Sequence, residues 1–413
     1  MSLTQVPIIN EQLDTLNDLL EAHNHLQSHL NAAVDLLASD KRAELASDLA
    51  EIAELVRNDE LLEIMDYGDK MNLAWADGSN NYTEGFNLCH VENATLEDGE
   101  TIKVADFESH YVLPFDCVYD APEAIYASAS DLAAGTYYFK IVNDLWGGNT
   151  GKYVSFTLAE TLTAGKQIRK KSGAYNASIS DCTLGIFTNG ADLVGTALEF
   201  TVSDTEPATG TSLGQTDGAA DCNHWHCVVL GYNRWKYSAV RQFLNSTASA
   251  GSWWTQQHKW DVKPSYADNK DGYLKGFDAS LLEHMRITKV ITSRNTVFNS
   301  GDTPLGGKDE TFDRVFLASL EQMYITPQDT GEGDYWEYYK RLLGRTSPVS
   351  TGATYARLIK YDLAATTTAR YRWLRSAYRG NAGSVWLVSS SGSVYYTTGA
   401  YTGYRLAPCL RIG

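Results

Sequence analysis

The residues whose types and spacing could do chemistry are concentrated in one short run, CNHWHC, spanning Cys222 to Cys227. Thiolate and imidazole this close together suggest a zinc site. In a strand, however, Cys222, His224 and His226 share one face and Cys227 points away, and the CxxC and HxxxH spacings are missing. The expectation is half-buried strand residues and no metal. Two acid pairs, Asp313 with Glu321 and Asp334 with Glu337, have the types needed for general acid–base work but read as surface or fold-bracing carboxylates. Cys409 lies in the apolar run RLAPCLRI, where a free cysteine behaves as a small core hydrophobe. The other cysteines, at 89, 117 and 182, are too scattered for a disulfide framework. No Ser-His-Asp order, P-loop or HExxH run occurs. The chain therefore reads as a non-enzyme with no cofactor.

A different chemistry, recognition by surface contact, is suggested by the last segment, Tyr371 to Gly413. It contains no Lys, Glu, Asp, Gln, Met, His or Phe, and is crowded with Tyr, Ser, Thr and Gly around Trp373, Leu374, Trp386 and Leu406. Tyr offers a large amphipathic contact with little entropy to lose, and Ser and Gly adapt around it. The plainer alternative is a Tyr/Ser/Thr-rich antiparallel sheet.

The order WLRSAYRGNAGSVWLVSSSGSVYYTTGAYTGYRLAPCLRI resembles the C-terminal variable region of diversity-generating retroelement proteins, receptors with a C-type-lectin fold. In that family, adenine mutagenesis scatters Asn-type codons. Lys, Glu, Gln and Met, which such substitution cannot produce, are absent here; Asp and His, which it could produce, are absent as well. The resemblance implies a hypervariable ligand-binding face over about residues 371–406. It assigns display to Tyr378, Gly380, Gly383, Ser384, Leu387, Ser389, Ser393, Tyr395, Tyr396, Thr397, Thr398, Tyr401, Gly403 and Tyr404. Scaffold positions would be Trp373, Leu374, Arg375, Trp386, Val388, Val394, Arg405, Leu406 and Leu410. GYNRWKYSAVRQFLNS and DRVFLASLEQM extend the similarity to about residues 220–413. The fold is shared with formylglycine-generating oxidases, but the thiol pair their chemistry needs has no counterpart beyond Cys222 and Cys227. The EPN and WND motifs of calcium-dependent lectins are missing, and Asn381 is the lone Asn of the segment. A fixed-specificity, calcium-independent lectin and a structural fibre tip remain the alternatives.

The elements that must position this segment follow from periodicity. Ile9, Leu13, Leu16, Leu20, His23, Gln27, Leu30, Val34 and Leu37 repeat with coiled-coil spacing. A second stripe, Leu45, Leu49, Ile52 and Val56, follows. Residues 1–66 are therefore expected to be a helical oligomerisation segment, with a helical hairpin packed within one chain as the alternative; the resemblance to phage receptor proteins favours a trimer. Residues 67–207 alternate with period two (Tyr137, Phe139 and Ile141; Val154, Phe156 and Leu158; Leu198, Phe200 and Val202) and predict an all-β, sandwich-like accessory domain. Glu206–Asp221 reads as a linker. The resemblance implies a lectin-like domain over residues 208–413, within which Ser238 is expected to cap a helix whose stripe is Val240, Phe243 and Leu244. A helical turn is expected around Ala279–Met285 and strands at Ile287–Thr292 and Val315–Leu317. The fold class is α+β, multidomain.

Composition sets the outer limits. The net charge is −17 over 413 residues, and the last segment holds five arginines and no acid, leaving −22 on the rest. An acidic body argues against nucleic acid as partner. The arginines could form an anion patch, but pairing with acids elsewhere is the expected use. No apolar run is long enough to span a bilayer, and no secretory signal or lipidation cysteine opens the sequence. The resemblance implies a phage tail or prophage product, or alternatively a bacterial surface, binding a host-surface protein or glycan.

Overall fold

The computed structural model describes residues 13, 15–30, 48–120, 126–127, 130–140, 151–164, 166–172, 183–188, 196–215, 232–257, 261–294, 306–380, 383–397 and 399–413. The fold is α+β, with short helices around mostly antiparallel sheets. Helix α1 covers 15–30 and leaves Leu16, Leu20 and Leu30 more than half exposed. Helix α2 (Leu49–Arg57) starts at Asp48, whose carboxylate accepts from the amides of Ala50 and Glu51. That cap satisfies two of the four orphan donors of the first turn.

The second stripe of the N-terminal segment has a different destination from the first. Leu49, Ile52 and Val56 are buried in the main core and the helix packs on strands from both ends of the chain. At about 1.5–3 kcal/mol per buried side chain, this is intramolecular anchoring, not an oligomer seam. A short helix α3 (Leu61–Ile64) leads into β1 (Lys70–Ala76), β2 (Asn81–Thr95) and β3 (Thr101–Ser109). These belong to the same body as the C-terminus, so the expected boundary near residue 66 is corrected. The last strand of the chain, Pro408–Ile412, is inserted between β3 and Val315–Leu317, giving a five-stranded sheet. Pro408–Ile412 is buried throughout, so its backbone groups need both neighbours, and residues 70–109 supply one of them.

The middle of the chain forms a separate layer pair. Strands β4 (Cys117–Val118), β5 (Tyr126–Ala127), β6 (Gly135–Lys140), β7 (Tyr153–Leu158), β8 (Lys166–Ser172), β9 (Thr183–Thr188), β10 (Thr196–Leu198), β11 (Phe200–Ser203) and β12 (Thr211–Gln215) follow in order. Two four-stranded sheets, β10-β9-β8-β5 and β11-β7-β6-β12, share a core of Tyr137, Phe139, Val154, Phe156, Ile168 and Leu198. The accessory unit thus begins after residue 120. It also extends past 207, because β12 lies in the expected linker and pairs in parallel with β6.

Beyond it, α4 (Ala239–Leu244) is capped by Ser238, which accepts from the Arg241 amide, and buries Val240, Phe243 and Leu244. Then come α5 (Ala279–Leu282), β13 (Thr288–Ser293), β14 (Lys308–Asp313), β15 (Val315–Leu317), α6 (Glu337–Leu343), β16 (Lys360–Asp362) and β17 (Ala365–Arg370). The chain closes with β18 (Arg372–Ala377), β19 (Val385–Val388), β20 (Val394–Thr397), β21 (Gly403–Tyr404) and β22 (Pro408–Ile412). Among the described residues, no helix is long and apolar enough to cross a membrane.

Candidate ligand-binding face

The terminal segment builds a three-stranded antiparallel sheet, β18-β19-β20. Leu387 opposes Tyr395 and Trp373, while Trp386 opposes Tyr396. Because successive side chains alternate faces, neighbours in sequence part company here, and each face carries its own aromatic cluster.

On one face Tyr378 and Tyr396 stack with centroids 3.6 Å apart, and both meet the Trp386 ring edge-on. Trp386 is almost buried, Tyr378 half-buried, and Tyr396 is 42% exposed. A hydrogen bond to Tyr396 and then burial raise the Tyr378 phenol above its usual range. The rim is fixed by Gln328, whose Oε1 accepts from Trp386 Nε1 at 3.2 Å and from the Arg379 amide at 3.0 Å. A Cβ at Gly380 would come within 2.8 Å of the Tyr378 ring, so a side chain there must displace the stack.

On the other face Tyr371 and Tyr404 stack at 5.1 Å, and Trp373 meets Tyr404 edge-on at 4.8 Å. Trp373 is buried and donates Nε1–H to the Cys117 carbonyl in β4, the strand that pairs with β21. Burial, then a hydrogen bond to Tyr371, pushes the Tyr395 phenol up to about 12. Tyr401 lies in a third place, half-buried against the core of the β6–β12 unit.

The display assignment therefore does not fall on one surface. Gly380, Tyr396 and Gly403 are exposed, and Tyr378, Ser393, Tyr395, Tyr401 and Tyr404 are half-buried. Gly383, Ser384, Leu387 and Ser389 are buried and are removed from the face. The reasons are local. Leu387 points into the main core; the Ser384 carbonyl accepts from Asn233 Nδ2 at 2.7 Å and from the Tyr378 amide. Gly383 accepts from the Ala400 amide, and Ser389 Oγ accepts from the amides of Ser391 and Ser393 to shape the β19–β20 turn. The Thr397 side chain, Thr398, Asn381 and the whole Cys222–Cys227 run lie outside the described residues.

Beneath the sheet is a buried polar frame. Trp373, Leu374, Arg375, Trp386, Val388, Val394, Arg405, Leu406 and Leu410 are all buried. Arg372 donates to Glu108 at 2.8 Å and to Tyr339 at 3.1 Å, and Lys360 pairs with the same carboxylate at 3.1 Å. Burial alone would raise the Glu108 carboxyl, but Lys360 and Arg372 hold it below its usual value. Arg375 donates to the Leu317 carbonyl, to Gln322 and to the Glu332 carbonyl. Arg405 pairs with Asp116 and Asp362, Arg411 with Asp106 and Glu92, and Arg379 with Asp329. All five arginines that could have formed an anion patch are thus committed within the fold.

The other chemical candidates are similarly engaged. Asp313 accepts from Trp235, Arg241 and Thr311, and Glu321 accepts from the amides of Gly331 and Glu332. Glu337 pairs with Lys340 and Arg341 along its helix. Cys409 is buried in β22, and burial raises its thiol well above the ordinary value. Sequence reasoning missed Asn233, fully buried, whose Nδ2 ties the Tyr378 and Ser384 carbonyls together across the mouth of the β18–β19 hairpin. It also missed Gln328 and Tyr371. A single Asn or Gln in a polar run carries no period or spacing to mark it.

Residues 211–413 match a family model described only as a domain of unknown function, DUF6273. No curated protein and no solved structure matches the chain.

Proposed function

We propose that the C-terminal region is a non-enzymatic ligand-binding receptor or adhesin domain of the C-type-lectin type, whose binding face is diversified by adenine mutagenesis. The observation that carries this reading is the Tyr378–Trp386–Tyr396 patch, an open aromatic platform mounted on a frame whose arginines are engaged by acids or carbonyls of the fold. Aromatic anchors of this kind supply most of the affinity in protein recognition. A buried frame whose arginines each bond or pair within the fold lets the exposed side chains change without loss of fold. The uncovered leucines of α1 support a self-associating coiled-coil stalk, with a trimer favoured, that would add avidity to weak single sites. The partner would be a host-surface protein or glycan, and the setting a phage tail, with a bacterial surface as the alternative.

The test is to sequence the 3′ end of this gene across a natural population. The reading expects substitutions confined to the codons of exposed and half-buried positions such as 378, 380, 393, 395, 396, 401, 403 and 404, with Trp373, Arg375, Trp386 and Arg405 constant. Substitutions spread evenly over frame and face, or an invariant 3′ end, would remove the diversified receptor and leave a domain with a fixed partner.

A further inference from the structure

Away from the aromatic face, β2 and the loop before α6 bring together a second set of groups. His90 and Glu92 are two residues apart on β2 and so share a face. Asp334 reaches them from the loop, and one ligand atom of each lies within 4.8 Å of the other two. His90 Nδ1 is buried with no hydrogen-bond partner, a state that is costly unless something fills it. Beside them is a cavity of ≈ 180 Å³ lined in part by Glu92, Glu332, Asp334, Arg375 and Arg411. Asp106 stands opposite His90 on β3 and accepts from Arg411, which is shared with Glu92. Arg375 spends its donors on carbonyls and Gln322. Lys289, the third cation on the lining, pairs with Glu310 across the β13–β14 strands.

From this geometry we infer that His90, Glu92 and Asp334 form a binding site for a divalent cation of the zinc class, tying β2 to the 331–334 loop. One imidazole with two carboxylates is an N/O set suited to zinc and its neighbours; calcium prefers oxygen alone, and copper(I) prefers sulfur. Ligand atoms around tetrahedral zinc sit about 3.4 Å apart, given Zn–N and Zn–O lengths of about 2.0–2.2 Å. Binding therefore requires the trio, now within 4.8 Å of one another, to draw in by up to about 1.4 Å. Asp334 is the ligand with room to do so: it is exposed and follows Gly331 and Gly333, both at positive φ. Glu332, inside the same loop, receives Ser376 Oγ and Arg375 from β18. A cation at this site would stiffen the support of the aromatic sheet without touching its ligand face.

The experiment is a titration of the full chain with zinc by calorimetry, and with cobalt(II) by visible absorption, alongside His90→Gln and Asp334→Asn. Melting each protein in EDTA first establishes that the variants are folded. The expected result is one saturable equivalent, cobalt bands without a thiolate charge-transfer band, and at least tenfold weaker binding in either variant. No saturable binding, or binding that both variants leave unchanged, overturns the site. A thiolate band that persists in the variants would place the metal on the Cys222–Cys227 run instead and would equally overturn it.

Discussion

The two aromatic clusters flanking β19 are made of the same residue types, each around a buried indole, but one has only half-buried tyrosines while the other leaves a tyrosine exposed. Tyr371, Trp373 and Tyr404 are tied down by β4 and β21, with the indole N–H bonded to Cys117. In the Tyr378, Trp386 and Tyr396 cluster the indole is held at the rim by Gln328, and Tyr396 is left 42% exposed. Adjacent residues, Tyr395 and Tyr396, enter different clusters because of the pleat. Tyr-rich composition therefore does not by itself define a binding face; what packs over each side of the sheet does.

The largest expected effect would break this contrast if it failed. Trp373→Ala should destabilise the fold by about 3–5 kcal/mol, the usual cost of emptying a buried indole site, measured by chemical denaturation. A cost below about 1 kcal/mol would mean that the closed cluster is not core.

A pH experiment sharpens the separation of frame from face. The carboxyl of Glu84, fully buried on β2, is raised from the ordinary 4.5 to about 7, first by burial, against hydrogen bonds from Ser109 and Tyr273. Its folded value lies above its unfolded one, so the native state holds the extra proton between those limits. Stability then falls as pH rises through that window, by roughly 3 kcal/mol at most. Glu84→Gln should flatten the decline in melting temperature between about pH 5 and 7, while leaving binding at Tyr396 unchanged. An unaltered slope would show that Glu84 is ionised throughout.

The smallest effect on stability is the most informative for function. Tyr404→Ser should cost about 1–2 kcal/mol through lost packing. Tyr396→Ser should stay within about 0.5 kcal/mol yet lose ligand binding. Equal costs for the two would erase the distinction between the clusters.

Several features were legible from residue order. The Ser238 cap with its Val240–Phe243–Leu244 stripe, the alternation in β6 and β7, and the β13 and β15 strands all follow from local periodicity, which is set by neighbours in sequence. So does the burial of Trp373, Trp386 and the arginines: large apolar anchors between small polar residues have few other places to go, and guanidiniums next to them need partners.

What pairs with what came only from the tertiary structure. The N-terminal stripe of Leu49, Ile52 and Val56 has the same spacing as an oligomer seam, and nothing in that spacing shows that β3 and β22 would cover it. The burial of Ser384, Leu387 and Ser389 depends on Asn233, on the main core and on a turn in which the Ser391 and Ser393 amides donate to Ser389, contacts made across up to 151 residues of chain. His90 and Asp334 meet for the same reason. The sequence by itself determined which residues want to be inside and what local shape they take, because those preferences are carried by each side chain and its near neighbours. Which Tyr faces outward was decided only when distant segments packed over one side of the sheet and left the other open.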